Sequence, residues 1–163
     1  DVQQHRAHHR PSAVEPRHAD GHDLVAQLGE KTGHANLAAL LNGGELAFVG
    51  DAVMTLQVRE YLLKKGISHL KALQENQIRY VSASYQATFA REIERELEEE
   101  DAAVFKRGRN YKSHSTAKNA SVIDYRYATA LEALWGYWYL SGQEEKLEKM
   151  FYRFIGETDE QYY

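Results

Sequence analysis

Two carboxylates stand where charge is expensive. Asp51 is the one charged residue in 46–58 (LAFVGDAVMTLQV), and Glu132 is the one charged residue in 127–143 (YATALEALWGYWYLSGQ). An ionised carboxylate among apolar side chains needs a basic partner, a raised pKa or a metal cation. The chain has no cysteine, which excludes disulfides and thiolate chemistry and leaves oxygen or nitrogen to hold any metal. Oxygen ligands favour magnesium, manganese or calcium. For either acid alone, a core carboxyl satisfied by a tyrosine or by Arg126 is the commoner explanation. Two such acids in the two most apolar segments point instead to a shared cation.

A second chemistry-bearing segment is 106–118 (KRGRNYKSHSTAK), which follows the most acidic part of the chain and contains no acid. Lys106, Arg107, Arg109, Lys112 and Lys118 supply charge, Gly108 and Asn110 suit a turn, and Ser113, Ser115, Thr116 and Asn119 add hydrogen-bonding groups. Such a loop can meet phosphate oxygens through charge and through amide or hydroxyl donors, the footprint of a nucleic-acid backbone. The bland alternative is a solvated basic loop offsetting the acids before it. A formal net charge of -4 argues against unspecific polyanion binding and makes a local patch the relevant feature.

These groups must be positioned by helices. The 163 residues, 43% hydrophobic, suffice for one sizeable core. Residues 1–22 hold five of the eight histidines and both prolines, without helical or strand register, and are expected to be a disordered tail or linker before a domain over 23–163. Asp23 is expected to cap a first helix and Asn36 to begin a short second one ended by Gly43 and Gly44. The pattern then predicts a helix over 45–65 closing at Gly66, one from Ser68 to about Arg79, one capped by Ser82 or Ser84, a short helix ending in KRGRN, a long one over 121–140 and a last over 143–155. The acidic run before the basic loop is expected to be a solvated face with i to i+4 pairs involving Arg91 and Arg95. The helix of Asp51 is apolar nearly all round, which predicts a central element with Asp51 pointing into or beside the core. Glu132 shares a face with Ala128 and Gly136, small residues that permit close approach of another backbone. The fold class expected is all-α, six or seven helices without repeat. No span of eighteen apolar residues and no signal core occur, so a non-membrane, non-secreted protein is expected.

GELAFVGDAV (44–53) resembles the signature helix of ribonuclease III catalytic domains, and YRYATALEALWGYWYL (125–140) resembles their second acidic motif. The nearer resemblance is to Mini-ribonuclease III. Its Gly-Asp-Ala helix, a VSA…QA segment (Val81, Ser82, Ala83, Gln86, Ala87), an RGRN..KS loop (107–110, Lys112, Ser113), a KN pair (Lys118, Asn119) and the YRYxTxxEAL motif occur here in order. This resemblance implies a ribonuclease III-like helical endonuclease domain, dimerising through its signature helices. It implies magnesium, with manganese as a substitute, held by Asp51 and Glu132 as catalytic metal ligands, and hydrolysis of double-stranded RNA to 5′-phosphate and 3′-hydroxyl ends. A large-subunit (23S) ribosomal RNA precursor is the implied substrate, a large-subunit ribosomal protein a further partner to consider, and the cytoplasm, or alternatively a plastid stroma, the compartment. The resemblance also implies a nuclease without the separate double-stranded RNA-binding domain of classical members. RNA contact is therefore expected from Arg79, Lys106, Arg107, Arg109, Asn110, Lys112, Ser113, Lys118, Asn119 and Arg126, reading A-form shape and phosphates.

The chain also departs from its relatives. Two further acids of classical members are replaced by Ala47 and Thr129, as in the Mini subfamily, and Glu45 is a candidate only for the outer surroundings of the metal. An aromatic residue and a glutamate usual after the aspartate are Met54 and Thr55, and Ala117 replaces a proline. These changes keep open a catalytically silent RNA-binding or assembly module. From the residues alone, a helical interaction protein with both acids satisfied internally is also open.

Overall fold

The computed structural model describes residues 38–112 and 121–156. Among them six helices follow in order: α1 (Gly43–Lys64), α2 (Leu70–Val81), α3 (Ala83–Glu94), α4 (Glu99–Asn110), α5 (Val122–Leu140) and α6 (Glu144–Ile155). Residues 38–40 complete a further helical turn ahead of α1. The expected tail over 1–22, the helix capped by Asp23 and the start of the helix at Asn36 lie outside the described residues. An all-α fold is what the periodicity predicts.

Local chemistry starts these helices. Asn42 accepts from the Glu45 backbone N–H at 2.8 Å while the Glu45 carboxylate accepts from the Asn42 N–H at 3.1 Å, a reciprocal cap. Glu45 therefore has a structural task. Gly43 and Gly44, expected to end a preceding helix, are instead the first residues of α1. Ser82 and Ser121 cap α3 and α5 through their hydroxyls. His69 rather than Ser68 precedes α2, without a side-chain cap.

Helix α5 is the axle, packed against α1, α3, α4 and α6. Its Trp135 and Trp138 are fully buried, and Phe89, Phe154 and both tryptophans form a run of edge-on and tilted rings. Offset and edge-on geometry matches the ring quadrupoles and adds to the burial these large side chains supply.

The acidic segment keeps the solvated face expected of it at Glu96, Glu98, Glu99 and Glu100, which are exposed, but its last acid turns inward. Asp101 is buried and accepts from the Trp138 indole N–H at 3.0 Å and from the Lys146 ammonium. Glu100 accepts from the Tyr137 hydroxyl, Glu94 from Arg109, and Glu96 from Arg153. Glu100 and Asp101 tie α4 to α5 and α6, Glu96 ties the α3–α4 connection to α6, and Glu94 ties α3 to α4. Arg91 pairs with Asp124 on α5, not with a neighbour on its own helix.

Candidate active site

Asp51 and Glu132 are brought together by a helix crossing with no room for side chains. A Cβ at Gly50 would overlap the Glu132 carbonyl, and a Cβ at Gly136 would overlap the Leu46 carbonyl. The two helices thus run in opposite directions through backbone contact. Asp51 adjoins Gly50, so this crossing delivers its side chain beside that of Glu132. The sequence expects small residues at the crossing on α5. It does not single out Gly50 as the partner on α1.

Of the two expected placements of Asp51, into or beside the core, the structure has the second: Asp51 is exposed, while Glu132 is half-buried. Its helix is apolar on faces that are open: Phe48 is 82% exposed and Leu56 58%. Asp51 sits at the rim of a largely apolar groove of about 570 Å³ that also takes in Phe48, Ala52, Leu56, Tyr139 and Leu147. The apolar surface of α1 is therefore core on some faces only, and one side of it faces out.

Burial pushes the Glu132 carboxyl up to about 8, and the charge and hydrogen bond of Asp51 push in the same direction. Near neutral pH the metal-free pair therefore holds a proton on Glu132 that hydrogen-bonds Asp51. None of the ion pairs among the described residues includes either acid, so Arg126 and its neighbours do not supply the compensating charge. Two hard oxygen ligands facing one another, one of them open to solvent, suit a cation that takes one or two carboxylates and completes its shell with water and phosphate, as magnesium does. No third histidine, aspartate or glutamate joins them among the described residues. At the places of the additional family acids, Ala47 is buried and the Thr129 hydroxyl donates to the Tyr125 carbonyl at 2.9 Å. Met54 is buried with its Sδ accepting from the Gln86 amide at 3.3 Å, and Thr55 is half-buried one turn beyond Asp51.

The matching family and the named relatives agree with one another. The Ribonuclease III domain family matches residues 44–143, a span that contains both acids. Mini-ribonuclease 3 of Brevibacillus brevis is 50% identical over 111 residues, covering 68% of this chain and 83% of that protein. Mini-ribonuclease 3 of Clostridium tetani is 43% identical over 124 residues, covering 76% and 82%. A crystal structure of a Fusobacterium nucleatum protein superposes with a TM-score of 0.66 at 35% identity, covering 71% of this chain and 93% of that one.

The chain belongs to the ribonuclease III family. Its relatives place it with the Mini-ribonuclease 3 proteins.

In this ribonuclease III protein the expected RNA-contacting residues divide into groups. Lys106, Asn110, Lys112 and Arg126 are exposed. Arg79 is exposed too, its guanidinium over the rings of Tyr80 and Tyr85 at 5.5 and 6.0 Å. Arg109 is half-buried and paired with Glu94 at 3.0 Å. Arg107 is also half-buried, and its Nη1 donates to the carbonyls of Ala39 and Leu41. Ser113, Lys118 and Asn119 lie outside the described residues. One side chain beside the groove went unread in the sequence: Gln57 accepts from the Trp135 indole N–H at 2.8 Å and lines the groove of Asp51. A lone amide in an apolar helix was the available signal.

Proposed function

We propose that Asp51 and Glu132 hold magnesium, with manganese as a substitute, and that the protein uses this site as a homodimer to cut RNA duplexes, its natural substrate being a large-subunit ribosomal RNA precursor in the bacterial cytoplasm. An endoribonuclease acting on double-stranded RNA is what membership of the family gives. The metal, the dimer, the substrate and the compartment are the further steps of the reading. The relatives compared are bacterial, which leaves the plastid alternative without support. Among the described residues no helix is long and apolar enough to cross a membrane.

The observation that carries the reading is the convergence of two carboxylates that have no ion-pair partner among the described residues. When bound, magnesium supplies an activated water and neutralises charge on the phosphate under attack. The chain's own residues do the remaining work. Glu132 releases its proton so that both acids face the site as anions. The Gly50 and Gly136 contacts hold the two carboxylates in fixed relation, so little reorganisation is needed when the scissile phosphate arrives. Lys106, Lys112 and Arg126 meet backbone phosphates away from the site, with Arg79 at a further edge.

The open apolar face of α1 supports the dimer. Phe48, Ala52, Leu56 and Leu63 recur along one side of the helix, and Phe48, Leu56 and Leu63 are each more than half exposed. A self-complementary contact of this stripe with a second copy would cover it and bring two sites to one duplex, one for each strand.

The test is incubation of a long RNA duplex with the protein, with magnesium and with chelator, followed by analysis of the product ends. Magnesium-dependent fragments with 5′-phosphates support the reading. Retardation of the duplex without any cleavage favours the assembly-module alternative, for which the replacements at Met54 and Thr55 speak.

A further inference from the structure

Arg107 differs from the other bases of its segment in where its charge goes. Its Nη1 donates to the carbonyl oxygens of Ala39 at 3.1 Å and Leu41 at 2.9 Å, both just ahead of α1. Backbone closes the same joint: a Cβ at Gly43 would overlap the Arg107 carbonyl, and one at Gly44 would strike the Tyr111 ring. On the other side Gly108 lies against Thr129, Ala130 and Ala133 of α5. The pair Arg107–Gly108 is therefore wedged between the start of the helix that carries Asp51 and the turn of the helix that carries Glu132. The charge also acts inward, at the Tyr137 hydroxyl, where it lowers the pKa against the stronger upward push of burial and Glu100.

We propose that Arg107 is a positioning residue: by binding the Ala39 and Leu41 carbonyls it fixes where the basic segment leaves α4 relative to Asp51 and Glu132, and it does not contact RNA phosphate. This inference rests on the nuclease reading above. It separates two roles that a run of bases makes indistinguishable in sequence. A phosphate contact contributes affinity that falls with salt, whereas a strut contributes geometry that is felt in the chemical step.

The experiment uses the full chain and an RNA duplex. Affinity is measured in chelator as a function of salt, and single-turnover cleavage is measured in magnesium at saturating RNA. For Arg107→Gln the salt slope stays at the wild-type value while the saturated rate falls about 10- to 100-fold, the scale of a misplacement near 1 Å. Lys112→Gln serves as the reference for a phosphate contact, its slope becoming shallower by about 0.7–0.9. If Arg107→Gln loses slope as Lys112→Gln does and keeps the wild-type saturated rate, the inference is overturned. Should Arg107→Gln not fold, Arg107→Lys decides: it keeps the charge but not the guanidinium's reach and planar form, so a lowered saturated rate supports the strut and wild-type behaviour overturns it. A wild-type protein that neither binds nor cuts the duplex removes the nuclease reading itself, a failure distinct from that of the Arg107 assignment.

Discussion

Gly50 on α1 lies directly against the backbone carbonyl of Glu132 on α5, so the helix crossing and the carboxylate pair form one structural unit. The site cannot be displaced without parting the two helices at the centre of the fold.

Gly50→Ala places a methyl where that carbonyl stands. Alanine gains up to about 1 kcal/mol over glycine in helix propensity, while overpacking a tight contact costs about 1–3 kcal/mol. Because the atoms overlapped are backbone, Gly50→Ala is expected to lower the urea midpoint clearly and to reduce cleavage at least about tenfold, as the carboxylates separate. A variant as active as wild type would show that the crossing does not set the site.

Glu132 gives the metal-free protein a specific pH dependence. Folding raises this carboxyl from near 4.5 to about 8, so between those values the native state holds a proton that the unfolded chain has released. The stability from this group is fully present below about pH 4.5 and is lost as pH rises through about 8. Glu132→Gln should flatten that part of the profile, as measured by urea unfolding in chelator. Magnesium competes with the same proton, so its stabilising effect is larger at about pH 8 than at about pH 6.

The exposed stripe on α1 predicts the assembly state. Phe48→Asp and Leu56→Asp, at positions 82% and 58% exposed in one chain, should convert a dimer into a folded monomer by light scattering, with cleavage of both strands lost. Wild-type protein that is monomeric throughout the micromolar range would remove the dimer from the account.

Thr55 stands half-buried one turn beyond Asp51, a spacing that lets an i, i+4 pair meet. Thr55→Glu should reduce the magnesium concentration for half-maximal cleavage several-fold by adding a carboxylate to the surroundings of the site. An unchanged magnesium requirement would mean that position 55 does not reach the cation.

Much of this was legible in the sequence because helix caps and glycine punctuation are local. Ser82 and Ser121 start the helices expected of them, and the two isolated acids meet where two apolar helices cross. Local signals failed at Gly43 and Gly44, which start α1, and at Ser68, which His69 replaces before α2, and the larger misreadings come from tertiary partners that a one-dimensional pattern does not contain. Apolar side chains nearly all round α1 suggested a central helix, yet Phe48 and Leu56 face outward beside Asp51. Asp101 looked like the end of a solvated run until Trp138 and Lys146 came to meet it. Arg107 looked like its neighbours Lys106 and Arg109, and only the carbonyls of Ala39 and Leu41, more than sixty positions away, distinguish it.

The central claim is that Asp51 and Glu132 act together on RNA through a shared cation. Its most direct test is single-turnover cleavage of an RNA duplex in magnesium by wild type, Asp51→Asn, Glu132→Gln and the double variant, each confirmed folded. Either single change is expected to lower the rate at least about a thousandfold and the double change to add little, as for groups that act as a unit. Cleavage by Asp51→Asn at the wild-type rate would contradict it.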